Sequence, residues 1–440
     1  MTLRLSIRAQ RGLLLTAFAV LCFLSYFSIR AARAAHAVGL KTREGYEHAV
    51  RLEPSDPRNW YLLGRFYQYD FEQSDPNAAL SALLVARSLD PLSADTLLDL
   101  ATNYGEAGKN AEARAAYLEA KRVYPLSAEV LWHYGNFLLR DNEIDAAFPE
   151  IRRAVELDPK RGAEAFSRCH RLVSDVNEIL DKVIPQNIQT YVDILSDTTN
   201  SGQFDTALQV WRRAKVLPGN VNLMEVTPLA NALIQSNRMT EAVQFWQEAA
   251  VKLPVSIPPD PSGSVLWDGS FEAGFFGGGL SWHFPANTKG VQIKPDAREK
   301  HSGSQSLQLM FTGRSNIYFS DICHWVPIEA GKTYRFSAWV QTKALTTDQG
   351  IRFGIFSSVA GRSATVFTGD VHGDQPWTNL TLTWTAPADA PLTQVCIVRN
   401  PSELPDGEIA GIAWVDDVTL TPVSPGSAPG FTPNDAGQNN

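Results

Sequence analysis

A chain of 440 residues, 44% hydrophobic and 20% charged, is long enough for two or three domains with cores of their own and too apolar to be disordered throughout. Residues 1–34 hold five arginines (Arg4, Arg8, Arg11, Arg30, Arg33) and no acid, so removing them from the formal charge of −8 leaves −13 on the remainder. An acidic body of that size excludes nucleic acid as the main partner.

The first element is the charge-free run Gly12 to Ile29, GLLLTAFAVLCFLSYFSI. As a helix rising about 1.5 Å per residue it reaches across a hydrocarbon core of about 30 Å. Three arginines before it and two after it place the N-terminus in the cytoplasm and the body in the periplasm or cell exterior. Residues 1–34 are therefore expected to be a basic stub and a transmembrane signal-anchor spanning 12–29. A cleaved signal peptide is the alternative, because ARA and AHA within 32–37 have the small-residue pattern of a cleavage site. Both readings export the body. Of the four cysteines, Cys22 sits in the apolar run and Cys169 on a helix face. Cys323 and Cys396 fall in the strand-rich region, where a bond formed in an oxidising compartment and two buried thiols are both open.

A recurring A-x-x-L-D/E-P ending follows: AVRLEP (49–54), ARSLDP (86–91), AKRVYP (120–125) and AVELDP (154–159), with looser forms at 214–218 and 249–254. The four prolines are spaced by 37, 34 and 34 residues, the longer interval containing the insertion QSD near 73–75. Small and large positions recur with them: Trp60, Leu63, Gly64, Tyr67, Ala79 and Ala86; Leu97, Leu100, Ala101, Tyr104, Ala113, Tyr117 and Ala120; Leu131, Gly135, Leu138, Ala147, Ile151 and Ala154. Small residues let paired helices approach closely, large ones fill the space between units, and proline ends each second helix. This pattern resembles the tetratricopeptide repeat, a helix–turn–helix unit of 34 residues, and it extends over 35–253 with an irregular unit at 160–187. The resemblance implies an all-α solenoid whose groove is lined by each unit's first helix. Groove candidates are Tyr61, Arg65, Gln68, Thr102, Trp132, Asn136 and Arg140, a mixture that suits an extended peptide or a partner helix. The lysine and asparagine clamp of some members is not visible.

PVSIPPDPSGS (254–264) holds four prolines and marks a linker. Beyond it, at 265–422, the period changes to short alternating runs: SLQLMF, TYRFSAWV, IRFGIF, NLTLTWT, TQVCIVR and AWVDDVTLT. In TYRFSAWV, Tyr334, Phe336, Ala338 and Val340 point one way and Arg335, Ser337 and Trp339 the other. Such runs predict an all-β sandwich. The tail 423–440 has the composition of a segment that does not fold.

WDGSFEAG and LSWHF, HSGSQSLQL (301–309), VPIEAGKTYRFSAWV (326–340), WTNLTLTWTAP (377–387) and WVDDVTL (414–420) stand in an order similar to that of jelly-roll carbohydrate-binding modules of the family 4, 9 and 22 type, which share a galactose-binding-like fold. The resemblance implies a structural calcium ion held by Glu272 with Asp416 or Asp417, hard oxygen ligands that suit the ion. Loop capping by the same carboxylates is the alternative. It also implies a glycan surface bearing Arg314 and Tyr318, four residues apart and so on one side of a strand, with Trp339, Arg352 and Arg399 lining the same surface. Rings stack on sugar C–H faces, and guanidinium or amide forks pair with hydroxyls.

Adjacent Asp416 and Asp417 leave a strand by opposite faces and cannot form the facing carboxylate pair of a glycosidase. GxSxG, HExxH, P-loop and GxGxxG motifs are absent in suitable context, so the chain is not expected to be an enzyme. The whole reads as a membrane-anchored, exported scaffold that docks a protein through its repeats and recognises a glycan through its sandwich, in polysaccharide synthesis or export. A purely structural adaptor and a non-catalytic activator of a glycan-processing enzyme are the competing readings.

Overall fold

The computed structural model describes residues 7–254, 262–272, 278–285, 288–359, 362–388 and 393–423. Most of the expected linker, residues 274–277 of the GFFGGG loop and all but the first residue of the expected tail lie outside them. The described residues divide between Pro185 and Gln186 into two compact units.

The first unit opens with helix α1 (Ile7–Gly39), 33 residues long and, by length and composition, apolar enough to cross a membrane. No part of its most apolar window is buried by the rest of the protein. The helix continues without a break through the candidate cleavage sites, and Ala34 and Ala37 are buried where it packs on α2 (Arg43–Leu52). Arg30 forms a two-pronged ion pair with Glu53, at 2.7 and 2.9 Å, that ties the two helices.

Helical hairpins follow: α3 (Pro57–Tyr69) with α4 (Pro76–Leu89), α5 (Ala94–Glu106) with α6 (Asn110–Val123), and α7 (Ala128–Arg140) with α8 (Ile144–Leu157). The repeated proline explains their ends. Glu53, Asp90, Tyr124 and Asp158 precede it, and all four adopt nearly the same non-helical backbone, φ −127 to −137° for three and −126° for Tyr124, because a following proline disfavours the α conformation. Side-chain caps start the next helices: Asp56 on the Arg58 amide, Ser93 on Thr96 and Ser127 on Val130. The glycines set the spacing within a hairpin. A Cβ on Gly64 would lie 2.7 Å from Leu83 Cγ, and one on Gly135 would lie 2.6 Å from Ile151 Cγ1. A shorter pair, α9 (Gly162–His170) and α10 (Val176–Lys182), completes this unit.

The second unit holds two more hairpins, α11 (Ile188–Asn200) with α12 (Phe204–Ala214) and α13 (Leu223–Gln235) with α14 (Met239–Ala250). Asn222 and Glu225 form a reciprocal capping box at the start of α13.

The sandwich comprises β1 (Trp282–His283), β2 (Val291–Asp296), β3 (Ser306–Thr312), β4 (Phe319–Val326), β5 (Thr333–Leu345), β6 (Arg352–Val359), β7 (Arg362–Phe367), β8 (Gly373–Thr385), β9 (Thr393–Arg399) and β10 (Ala410–Pro422). Two five-stranded antiparallel sheets, ordered β1-β4-β9-β6-β7 and β2-β3-β10-β5-β8, face each other as a jelly roll. Alternation along each strand fills the space between them with Leu307, Leu309, Tyr334, Phe336, Val340, Phe353, Ile355, Val395, Ile397 and Val415. The architecture is an all-α tetratricopeptide solenoid followed by an all-β sandwich.

Cys323 and Cys396, directly opposite each other on β4 and β9, are joined by a disulfide, which resolves the alternative the sequence left open. Cys169 is buried in α9, and burial pushes its thiol up to about 12.

Candidate functional site

Since Phe353 and Ile355, Val395 and Ile397, and Ile322 all point into the core, the residues between them form the outer face of the β1-β4-β9-β6-β7 sheet. Strand register sets them in rows. One row runs Trp325, Gln394, Phe356 and Thr365 across β4, β9, β6 and β7. The next runs His283, Cys323, Cys396, Gly354 and Phe367. Trp325 and Phe356 flank the Gln394 amide at about 10 Å from each other, two strand spacings.

The floor is low because a disulfide and a glycine occupy its centre. A Cβ on Gly354 would stand 2.7 Å from the Phe356 ring and 2.9 Å from that of Phe367, so both rings would have to shift to admit one. Those two rings meet edge to face at 5.9 Å. Phe367 is 41% exposed on the edge strand. At the far end of β6, Arg352 donates to Gln349 Oε1 at 2.9 Å and faces Asp370 at 3.6 Å. The face thus combines ring surfaces, an amide and a guanidinium, the functional groups needed to stack on sugar C–H faces and pair with hydroxyls.

Of the residues expected to line one glycan surface, the structure brings only Arg352 to this face. Arg314 and Tyr318 are exposed, Tyr318 by 56%, but they lie on the irregular segment between β3 and β4, where no pleat sets them on a common side. Trp339 is on β5 of the opposite sheet, its ring stacked at 4.0 Å on the His301 imidazole. Arg399 is 0% exposed. Its guanidinium donates to Asn316 Oδ1 at 2.8 Å, to the Ile317 carbonyl at 2.5 Å and to the Gly407 carbonyl at 3.0 Å. It braces the loop that carries Arg314 and Tyr318 and cannot itself reach a ligand, and its burial lowers its pKa from the ordinary arginine value. His283, Trp325, Phe356, Phe367 and Gln394 were missed. Period-two alternation in FSDICHWV, IRFGIF and TQVCIVR marks them as facing away from the core, a signal readable only once the inward set is known.

Glu272, Asp416 and Asp417 act on loops. Asp416 accepts from the amides of His301, Ser302 and Asp417 at 2.8, 3.0 and 2.8 Å. Burial, with the charge of Asp417 added, pushes its carboxyl up to about 6 against the pull of those amides. Asp417 accepts from Ser302 Oγ at 2.7 Å and Ser270 Oγ at 3.2 Å and meets His301 Nδ1 at 2.6 Å. Glu272 accepts from the Ser304 amide at 2.7 Å and from the Ser304 hydroxyl. The three carboxylates thus cap loop amides and hydroxyls. Among the described residues no cluster of three His, Cys, Asp or Glu is placed to hold a metal. A bulge between Asp416 and Thr419, with φ of 47° at Asp417, also overturns the expectation that the two aspartates leave by opposite faces: both turn to the 301–302 loop.

In the repeats, Arg65 lies over the rings of Tyr61 and Tyr69 at 5.8 and 5.3 Å and 3.4 Å from Asp99. Tyr69 donates to Asp99 at 2.8 Å. Burial raises the Asp99 pKa, opposed by Tyr69 and Arg65. Gln68 donates to the Asp99 carbonyl at 3.4 Å. Thr102 donates to the Leu98 carbonyl within its own helix, and Arg140 is exposed at the end of α7. Trp132 is only 6% exposed, covered by the guanidinium groups of Arg161 and Arg168 at 5.3 and 5.2 Å. Asn136 accepts from Arg168 at 2.9 Å. The first unit therefore presents guanidinium groups where the sequence suggested a bare indole. Tyr69 and Asp99 were not foreseen, because nothing in the repeat pattern marks a buried carboxylate.

Residues 263–399 match the carbohydrate binding domain family model. Residues 98–161 match a tetratricopeptide repeat model. Both are binding rather than catalytic kinds of domain. Similar solved structures include the CBM22-1 xylan-binding domain of Paenibacillus barcinonensis Xyn10C, at 18% identity and a TM-score of 0.27 over 37% of this chain and 96% of that one. A family 16 carbohydrate binding module aligns at 15% identity and a TM-score of 0.26 over 36% of this chain and 99% of that one. YrrB, a tetratricopeptide protein with an unusual peptide-binding site, aligns at 16% identity and a TM-score of 0.26 over 48% of this chain and 94% of that one. No curated protein matches the chain.

Proposed function

We propose that this chain is a membrane-anchored, exported scaffold. Its repeat array docks a protein or peptide, and its sandwich binds a glycan during cell-envelope polysaccharide synthesis or export. The observation that carries the glycan part is the outer face of the β1-β4-β9-β6-β7 sheet. Trp325, Phe356 and Phe367 offer ring surface there, Gln394 and Arg352 offer hydrogen-bonding forks, and the low floor of Gly354 and the disulfide admits an extended chain. This face lies within the segment that matches a carbohydrate binding domain. Anchoring is supported by the length and apolar character of α1, and export by the disulfide, which belongs to oxidising compartments. The repeat match supports a protein or peptide partner.

The test is titration of the full chain in detergent with soluble xylan, mixed-linkage glucan and an acidic bacterial exopolysaccharide, beside Trp325→Ala and Gln394→Ala. Binding by the wild type that falls at least about tenfold in both variants, a loss of some 1.4 kcal/mol, is expected. Binding that survives both variants would move the glycan site away from this face. No binding to any of the three would favour a protein-docking sandwich.

A further inference from the structure

The last hairpin repeats α7 and α8 residue for residue, Leu223–Gln235 standing on Ala128–Arg140. Thr227 and Asn231 therefore take the places of Trp132 and Asn136 on the first helix. On the second helix Trp246 takes the place of Ile151 and, one repeat earlier, of Tyr117. At this place in the array a large side chain reaches the following unit. Tyr117 lies 5.8 Å from Tyr134 and 5.1 Å from Phe137 of the next helix. Trp211, its counterpart on α12, meets Phe245 of the next hairpin at 5.0 Å.

Trp246 has no following repeat, yet it is only 3% exposed. The sandwich covers it. Trp267 meets its ring edge to face at 5.5 Å, and Gly279 lies so close that a Cβ there would fall within the indole. On the other helix, the Gly279 amide donates to Asn231 Oδ1 at 2.6 Å. A Cβ on Gly278 would stand 2.7 Å from Asn231 Nδ2 and 3.0 Å from Thr227 Cγ2. Only glycine permits so close an approach at φ values of 121° and 64°. A solenoid must cover the apolar end of its last unit, and the positions that do so here are backbone and ring of the β-domain.

We infer that the sandwich is the C-terminal cap of the repeat array. Trp267 and Gly278–Gly279 stand where a further repeat's first helix would pack, so α13, α14 and the sandwich form one cooperative body. Because the same two glycines occupy Thr227 and Asn231, the groove open to a partner ends before α13. The outer face of the β1-β4-β9-β6-β7 sheet is consequently held at a fixed pose to α13 and α14 and does not swing on the 254–264 segment.

Hydrogen exchange of the full chain in detergent, read by mass spectrometry, tests it with Gly279→Val and the milder Asn231→Ala. In Gly279→Val, amides of α13 and α14 should lose at least about tenfold of their protection, with those of α3 to α8 unchanged. Asn231→Ala, which keeps the glycine packing, should lose less in the same peptides. Wild-type protection of α13 and α14 in both variants, or loss confined to the sandwich, would overturn the cap.

Discussion

The two sheets of the sandwich turn similar side chains inward, and both carry aromatic residues outward, but the outward rings are used differently. On the β2-β3-β10-β5-β8 side the ring of Trp339 is covered by His301 at 4.0 Å, Trp377 meets the same imidazole edge-on at 5.6 Å, and Trp414 donates to Asp296 at 3.0 Å. On the β1-β4-β9-β6-β7 side, Phe356 and Phe367 pack only against each other among the described rings, with Gln394 between Phe356 and Trp325. An outward-facing tryptophan in a strand is therefore a weak guide to a binding face. What matters is whether the protein has already taken up its flat side and its N–H.

The largest expected effect on glycan affinity would break this contrast if it failed. Trp325→Ala should reduce glycan affinity at least about tenfold while leaving the unfolding free energy within about 0.5 kcal/mol of wild type. Trp339→Ala should do the reverse, lowering stability by about 1–2 kcal/mol through loss of its stacking partner and packing with affinity unchanged. Equal loss of affinity in both would erase the distinction between the faces.

The largest effect on stability is expected from the crosslink beneath the first face. Replacing both Cys323 and Cys396 by alanine should cost about 2–4 kcal/mol in urea unfolding, and reduction of the wild type should cost a similar amount. Arg399→Met should cost about 1–3 kcal/mol, since it leaves the Ile317 and Gly407 carbonyls without their buried donor. Faster proteolysis at the 313–318 loop should accompany it. A neutral result would mean that Arg399 does not brace that loop.

The smallest expected effect is a pH dependence in which two buried groups oppose each other. Asp416, raised by burial from 3.8 to about 6, stabilises the fold least when ionised, so its contribution is full below its unfolded value and is lost as pH rises through about 6. His324, buried between the Trp325 and Trp267 carbonyls, is lowered by burial from 6.5 to about 4, so its contribution is full above 6.5 and is lost as pH falls toward about 4. Across that window the two slopes offset. Asp416→Asn should make the urea midpoint rise more steeply with pH than in the wild type, and His324→Gln should tilt it the other way. Parallel curves for all three proteins would contradict these assignments.

Much of the architecture was legible because it repeats or alternates. The proline at the end of each second helix acts through its neighbour's backbone alone, so Pro54, Pro91, Pro125 and Pro159 locate helix ends without knowledge of contacts. Inward and outward residues of TYRFSAWV follow from the pleat. The site was less legible. Arg399 reads as a surface cation, because nothing local reveals that two loops supply it with carbonyl and amide oxygens. Asp416 and Asp417 read as opposed, because a bulge cannot be seen from their own strand. Trp132 reads as groove surface, because the arginines that cover it belong to residues 161 and 168.

The amino-acid sequence by itself determined the two kinds of domain, their order, the helix ends and the apolar first segment, since periodicity, proline and composition act over a few neighbouring residues. Only the tertiary structure decided which outward rings stay uncovered, that Cys323 and Cys396 face each other, where the buried cation finds its acceptors, and that two glycines after the helical array lie against its final hairpin. Those outcomes depend on pairs of residues far apart in the chain, and a pairwise distance is not a property that any single segment carries.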